Sequence, residues 1–171
     1  MDVFFIFGEI FSLLAAVCLC YSTFSTSKKN MVFWQLIDSV LGAVSNIFLF
    51  SFSGVVTNIL AAVRNLFEVK GKNNNVIVIV FCFLNMVLGL LFNNRGFVGV
   101  LPILATIEYT IAIYVCKSSQ SLRIGLLINT VFWGVYDLLI MSYPLFVADV
   151  IIFVFAIIKV VRLRNSDLVK E

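Results

Sequence analysis

Two stretches of equal length decide the fold: residues 36–65 read LIDSVLGAVSNIFLFSFSGVVTNILAAVRN, and residues 127–156 read LINTVFWGVYDLLIMSYPLFVADVIIFVFA. A shift of 91 residues lays one on the other without a gap and leaves seven positions identical. The scarce polar residues also coincide, in the pairs Asp38 and Asn129, Ser39 and Thr130, Asn46 and Asp137, and Asn58 and Asp149. Unrelated apolar stretches would not align their rare carboxylates and carboxamides, so the pairing indicates an internal repeat.

The composition places this repeat in a membrane. The chain has 171 residues, of which 62% are apolar and 12% charged, whereas soluble domains are about 45–50% apolar and about 25% charged. A globule of this size needs a mostly polar surface, so a water-soluble monomer is excluded. The apolar residues form runs of the length that a membrane helix needs, namely 3–24, 31–50, 54–69, 76–92, 97–116, 122–141 and 145–161.

These seven runs predict an all-α, polytopic membrane protein whose single transmembrane domain spans residues 1–171. The shift of 91 also brings Gly8 of the first run onto Gly99 of the fifth. The repeated unit is therefore three helices, with a first unit at 3–69 and a second at 97–161. Because four runs separate equivalent helices, both units have the same orientation. The run 76–92 is then a connector in a 3+1+3 parallel repeat, and residues 162–171 form a cytoplasmic tail.

The basic residues predict the orientation of the bundle. With the N-terminus outside, eleven of the twelve Lys and Arg residues lie on the inside, as the positive-inside rule requires. The inside set is Lys28, Lys29, Arg64, Lys70, Lys72, Lys117, Arg123, Lys159, Arg162, Arg164 and Lys170, and Arg95 is outside. The first run follows Asp2 without a cationic segment, so we expect a retained span and not a cleaved signal peptide.

The chain lacks the residue types and motifs that metal sites, cofactor sites and common enzyme active sites require. The chain has no His, and its four Cys occur without a C-x-x-C spacing, so neither a metal site nor a cofactor is expected. No nucleophile, zinc or phosphate-loop motif occurs, so we do not expect an enzyme. The net charge of +3 reflects the membrane orientation and does not predict binding to nucleic acid.

Helical geometry predicts a polar cavity. Asn46 lies six residues before the turn at Phe52 and Asn58 six after it, which places both about 9 Å below the turn. The repeat puts Asp137 and Asp149 at the same level. Such groups are costly in hydrocarbon and face the bundle or water, so we predict that all four surround one solute-binding cavity. The alternative is that they only form hydrogen bonds between helices.

Four further charged residues are candidates for gating or proton coupling. Asp38 lies fourteen residues before the turn and Arg64 twelve after it, so we expect an ion pair near the inner end, as a gate or as packing. Glu9 reaches a level similar to that of the four cavity residues. Glu108 meets no charged partner under the shift, so it is a proton-relay candidate or a partner for neighbouring helices.

The 3+1+3 pattern resembles the SWEET, PQ-loop and PnuC transporter superfamily. The stretches 58–65, 101–106 and 129–134 are also similar to the bacterial inner-membrane YgjV family, a resemblance that covers most of the chain. It implies a small-solute permease of the cell inner membrane. SWEET-type transporters bind solute through an Asn on the third helix of each unit, the places of Asn58 and Asp149, and through a Trp one helix earlier, which Trp133 matches.

The chain departs from the SWEET pattern in two respects. Under the shift of 91 residues, Gly42 of the first unit coincides with Trp133 of the second. Phe11 coincides with Pro102 and neither is followed by Gln, so both units lack the Pro-Gln pair of the SWEET pattern. These departures predict an asymmetric cavity and weigh against a sugar as the solute.

The functional hypothesis is that the two units rock and expose the cavity alternately to each side. The carboxylates favour a neutral hydroxylated or cationic solute, sugar-like or nucleoside-like, and one of them is available to carry a coupling proton. The expected partners are this solute and the lipid bilayer, with self-association left open. The alternative hypotheses are a membrane-embedded ligand receptor and an accessory or scaffold subunit on the same fold.

Overall fold

The computed structural model describes the backbone of residues 3–168 and the side chains of residues 3–158, and its regular structure is entirely helical in that part of the chain. Seven α-helices follow one another within residues 3–168, and a 3-10 turn, Val98–Val100, precedes the fifth. They are α1 (Val3–Phe24), α2 (Lys28–Phe48), α3 (Phe52–Val69), α4 (Asn75–Leu91), α5 (Leu101–Val115), α6 (Ser119–Leu139) and α7 (Tyr143–Leu168). The all-α prediction is confirmed.

The helices have the character of a polytopic membrane protein. Four segments are long and apolar enough to cross a bilayer: α1, α2, Val98–Val115 and α6. The shorter helix α4 (Asn75–Leu91) is also apolar, and so is Tyr143–Ile158, the part of α7 whose side chains the structure describes. Large apolar side chains are exposed on the outside, including Leu91 at 73% and Ile79 at 67%. Polar side chains are buried inside instead, which reverses the arrangement of a soluble protein.

Serine caps set where α2 and α6 begin. Oγ of Ser27 accepts a hydrogen bond from the backbone N–H of Asn30 at 3.2 Å, and Oγ of Ser118 accepts one from Ser121 at 3.1 Å. The two caps are 91 residues apart. Both helices start three residues before the apolar runs at 31 and 122, because a helix begins at its polar cap whereas hydropathy marks only the apolar part.

The turns after α2 and α6 have the same backbone structure. Phe50 and Met141 both adopt positive φ, at 52° and 65°. The N–H of Ser51 donates to the carbonyl of Asn46 at 2.9 Å, and the N–H of Ser142 donates to that of Asp137 at 2.8 Å. Each turn is a Schellman cap, and equivalent residues are again 91 apart.

Replacing Met141 by glycine should stabilise the protein, because a side chain in the left-handed region costs about 1–2 kcal/mol that glycine avoids. Met141 is 56% exposed, so little packing is lost. We expect a higher thermal unfolding temperature in detergent. The matched control is Met86→Gly, at a residue 53% exposed within α4, which should lower that temperature because glycine weakens a helix interior. Destabilisation by Met141→Gly would contradict the prediction.

Six of the helices form a closed ring in the order α1, α2, α3, α5, α6, α7, and each contacts the next. The helix α4 lies outside the ring against α3 and α5. In this order α1 is opposite α5, α2 opposite α6, and α3 opposite α7. The centre of the ring is where side chains from all six helices can meet.

The last helix is longer than its apolar run predicts. The run ends at residue 161, whereas α7 continues to Leu168, so most of the predicted tail, 162–171, is helical. Backbone hydrogen bonding continues into polar sequence where hydropathy does not. Residues 1–2 and 169–171 lie outside the described residues, and so do the side chains of the predicted inside set from Lys159 onward.

Candidate functional site: a polar cavity inside the ring

A cavity lies at the centre of the ring. It comprises about 610 Å³ of space not occupied by atoms, part of which is open to solvent, and the centre of a water molecule fits within about 60 Å³ of it. One water needs about 10–15 Å³ by the second measure, so the cavity holds several waters or a compact solute. Its polar lining comprises Gln35, Asp38, Ser39, Asn58, Arg64, Asn65, Thr106, Tyr109, Asn129, Thr130, Asp137 and Asp149. Its apolar lining is Leu19, Ala61, Leu126, Trp133 and Leu145.

Apolar layers flank the cavity at both ends of the ring. At the end that carries the Ser27 and Ser118 caps (the cap end), Met31 and Leu122 are 0% exposed and belong to one core cluster. At the end that carries the turns after α2 and α6 (the turn end), Leu49 and Ile140 pack with Tyr136. In both layers the paired residues are 91 apart in sequence.

Polar contacts reinforce the turn end. The buried Tyr136 hydroxyl donates to Oδ1 of Asn46 at 3.1 Å and shares a 2.7 Å hydrogen bond with Oγ of Ser51. Oγ of Ser12 and Oγ of Ser142 are 2.7 Å apart. These bonds connect α6 to the α2–α3 turn, and α1 to the α6–α7 turn.

Three aspartates line the cavity without hydrogen-bond partners among the described residues. Asp137 and Asp149 are only 2% and 3% exposed, and Oδ1 of Asp137 and Oδ2 of Asp149 are buried with no partner. Asp38 is more open and also faces the cavity. All three residues line the same cavity. Buried polar groups are normally paired, so these oxygens are available to a solute, a cation or water.

Glycines make room for the polar residues of α3 and α7. A Cβ atom on Gly42 would lie 3.3 Å from Nδ2 of Asn58, and one on Gly134 would lie 3.4 Å from Cβ of Asp149. The side chains of Asn58 and Asp149 therefore reach the cavity over the backbones of α2 and α6. Trp133, next to Gly134, also lines the cavity. The structure thus brings Asn58, Trp133, Asp137 and Asp149 together.

Arg64 lines the cavity in a different way from the one predicted. Arg64 is 3% exposed, and its guanidinium donates to Oδ1 of Asn65 through Nε and Nη2, at 3.1 and 2.8 Å. Its Nη1 donates to the carbonyl of Thr106 at 3.3 Å and to Oγ1 of Thr110 at 2.8 Å. The predicted ion pair with Asp38 is wrong, because α5 supplies oxygen acceptors that hold the guanidinium away from α2.

Sequence reasoning missed other polar residues of the lining. Nε2 of Gln35 donates to the Tyr109 hydroxyl at 2.8 Å, and the Tyr109 ring lies beneath the guanidinium of Arg64, 5.5 Å from its central carbon. Gln35 precedes Asp38 by three residues, and Thr106 precedes Tyr109 by three. Such spacing puts two side chains on one helix face, so the helical period of the polar residues was the signal that would have found them.

Three predicted site residues lie outside the lining. Asn46 is 1% exposed, and its Nδ2 donates to the carbonyl of Gly42 at 2.9 Å while its Oδ1 binds Tyr136. Glu9 and Glu108 each have a buried carboxylate oxygen without a partner, and Glu108 lies beside Gly125 of α6. Asn46 therefore stabilises the turn end instead of facing the cavity.

Comparison with known families identifies the chain. Residues 6–167 match the sequence profile of Imp-YgjV, described as a bacterial inner membrane protein family. The chain belongs to this family. The predicted family membership is thereby confirmed, and this Imp-YgjV protein is a membrane protein of a bacterial inner-membrane family. No curated protein and no solved structure matches the chain.

Proposed function

We propose that this Imp-YgjV protein is a small-solute transporter whose two three-helix units, 3–69 and 97–161, expose the central cavity alternately to each side of the membrane. The observation that carries the proposal is a set of buried polar groups without protein partners, in a cavity flanked at both ends by apolar layers. A bundle held together only by interhelical hydrogen bonds would pair these groups with one another.

The spacing of 91 residues supports two equivalent units. Helix starts, helix ends, serine caps and positive-φ turns recur at this interval in α2 and α6. In the ring α1 lies opposite α5, α2 opposite α6 and α3 opposite α7, which supports the proposed twofold axis along the membrane normal. The connector 76–92 corresponds to α4, which lies outside the ring. When two units related in this way rock against each other, the cavity can close at one end and open at the other, which is the basis of alternating access.

The proposed orientation puts the turn end outside and the cap end in the cytoplasm. Lys28, Lys29, Lys117 and Arg123 are close to the cap end, whereas Arg95 precedes α5 at the turn end. The guanidinium of Arg95 donates to the carbonyl of Leu49 at 2.7 Å. The N-terminus is then outside and the C-terminus inside, as the positive-inside rule requires.

Solute binding, and no covalent chemistry, is the role proposed for the lining. The carboxyl groups of Asp38, Asp137 and Asp149 are acceptors for solute hydroxyl or ammonium groups, and Asn58 offers both a donor and an acceptor. Coupling to a proton is a further proposal for these carboxylates and for Glu108. An uptake rate that does not change with an imposed pH gradient would contradict proton coupling but not the proposed transport.

Uptake into proteoliposomes tests the transporter. Vesicles that contain the purified protein would be incubated with a ¹³C-labelled bacterial metabolite extract, and the lumen analysed by mass spectrometry. We expect at least one compound to enter faster than into protein-free vesicles. Asp149→Asn should lower that rate at least fivefold and Asn58→Ala about threefold, since losing one hydrogen bond to a solute costs about 0.5–1.5 kcal/mol and one to a charged group more.

The matched control is Asn85→Ala. Asn85 is 0% exposed, but it lies in α4 and its Nδ2 bonds only the Phe81 carbonyl of its own helix. This variant should keep the uptake rate of the wild type. Binding of a compound without uptake would favour the receptor alternative, and loss of a co-purifying subunit in the Asn58 and Asp149 variants would favour a scaffold.

A further inference from the structure

We propose that the cavity binds a dipolar solute, a single molecule that carries an ammonium group at one end and a carboxylate at the other. This inference rests on the proposed function, because it names the substrate class of the same cavity. It follows from where the unmet hydrogen-bond donors and acceptors lie along the lining.

Unmet acceptors dominate the part of the cavity formed by Asp38, Asp137 and Asp149. None of these carboxylates has a hydrogen-bond donor among the described residues, and all three line the same cavity. An ammonium group offers three N–H donors and a positive charge. It can therefore donate one hydrogen bond to each of the three carboxylates, and its charge is opposite to theirs.

Unmet donors occur in the part of the cavity nearer the cap end. The guanidinium of Arg64 uses four of its five N–H groups in the bonds to Asn65, Thr106 and Thr110. Nδ2 of Asn65 is buried without an acceptor. The Tyr109 hydroxyl accepts from Gln35 and keeps its own hydrogen to donate. Gln35 adds one open acceptor, Oε1, but the net character here is that of a donor site with a positive charge.

The two charged parts do not neutralise each other. The ion pair within the described residues joins Lys28 and Glu68 at 2.5 Å, and no carboxylate oxygen there lies within 4.0 Å of Arg64. Arg64 lies six residues beyond Asn58 on α3, about 9 Å along the helix, and so on the cap-end side of Asn58, Asp137 and Asp149. Asp38 is at about the level of Arg64 but makes no ion pair with it among the described residues. The guanidinium of Arg64 and the three carboxylates therefore line the same cavity without pairing with one another.

A solute with one charge leaves one end of this cavity uncompensated. A cation alone leaves the buried guanidinium without a hydrogen-bonded carboxylate, and an anion alone must lie near three carboxylates. Buried charges are tolerated when they are paired and hydrogen-bonded. A dipolar solute pairs the guanidinium and the carboxylates in one binding event. A neutral solute forms neither charge pair, so we expect it to bind more weakly.

Thermal stabilisation of the detergent-purified protein tests the charge requirement. The probes are glycine, β-alanine, 4-aminobutyrate and 6-aminohexanoate, with butylamine, butyrate and meso-erythritol as the singly charged and neutral references. Because a ligand that binds only the folded state raises the unfolding temperature, we expect at least one amino acid of the series to raise it by about 2–4 °C. Butylamine, butyrate and erythritol at equal concentration should give less than half that shift.

Variants at the two ends separate the contributions. Arg64→Gln should weaken binding of the best amino acid at least tenfold, and Arg64→Lys, which keeps the charge, should weaken it less. Asp149→Asn should weaken it at the other end. If Arg64→Gln does not fold, the ratio of amino acid to butylamine affinity in Arg64→Lys and Asp149→Asn still tests both ends.

The inference is overturned if butylamine or erythritol stabilises the protein as well as the best amino acid, or if no amino acid of the series stabilises it. Butyrate that stabilises fully in sodium buffer but not in potassium buffer also overturns it, in favour of an anion bound with a metal cation. None of these results contradicts the proposed transport, which is tested separately by uptake of a labelled compound. Failure of uptake with retained amino acid binding removes transport and keeps the dipolar site.

Discussion

Replacing Gly54 by alanine should lower the thermal stability of the protein strongly, and replacing it by leucine should prevent folding. A Cβ atom at Gly54 would lie 2.8 Å from Cγ of Asn46 and would collide with the Asn46 Oδ1 atom and the Tyr136 hydroxyl. All three residues are buried at the turn end. Overpacking of this kind costs about 1–3 kcal/mol for a small group, more than alanine gains over glycine in a helix.

A second substitution tests whether this collision is the cause. Tyr136→Phe removes the colliding oxygen, so it should restore part of the stability of Gly54→Ala, although alone it destabilises by breaking the bonds to Ser51 and Asn46. The expected coupling is about 1 kcal/mol in a double-mutant cycle. The matched control is Gly134→Ala, where a Cβ atom would meet nothing closer than 3.4 Å and which should be neutral or stabilising, because alanine is favoured over glycine in a helix. Equal unfolding temperatures for Gly54→Ala and wild type would refute the packing described here.

Asp38→Asn should reduce uptake at least tenfold and leave the unfolding temperature unchanged or slightly higher. Asp38 lines the cavity and is more open to it than Asp137 or Asp149, so its carboxylate has the most direct access to a solute. It makes no hydrogen bond or ion pair among the described residues, so its removal breaks no contact. Losing a charged hydrogen bond to a solute costs about 1.5–3 kcal/mol, about a tenfold to hundredfold effect.

The control for this prediction is Glu68→Gln, which also removes one carboxylate. Glu68 is at the cap end, outside the lining, and its ion pair with Lys28 is partly exposed to water. Such pairs contribute about 0–1 kcal/mol, so uptake should stay within about twofold of the wild type. If Asp38→Asn transports normally and Glu68→Gln does not, the cavity is not the solute path.

Helix positions were largely predictable from the sequence. The apolar runs located all seven helices, because hydropathy and backbone hydrogen bonding both depend on residues that are close in the chain. The errors lie at the ends, for example at Lys28 and Ser119, where α2 and α6 begin in polar sequence after their caps. The spacing of 91 in the sequence also recurs in the caps and turns.

The composition of the cavity was predictable only in part. Asn58, Trp133, Asp137 and Asp149 meet there, but Asn46 turns toward Tyr136 and the turn end. A depth calculated from helical rise gives the level of a residue in the bundle and not the direction of its side chain. That direction depends on how each helix is rotated against its neighbours.

What the sequence by itself determined is a helical membrane bundle of an inner-membrane family with a 91-residue spacing between matching elements, since these depend on local pattern. The tertiary structure alone decided that Arg64 bonds Thr106 and Thr110 of α5 instead of pairing with Asp38. Which hydrogen-bond acceptors of a distant helix come within reach of Arg64 depends on how the helices pack, and the sequence alone does not predict this. The physical reason is that local hydrogen bonding fixes each helix, whereas packing fixes which charges remain unpaired in the cavity.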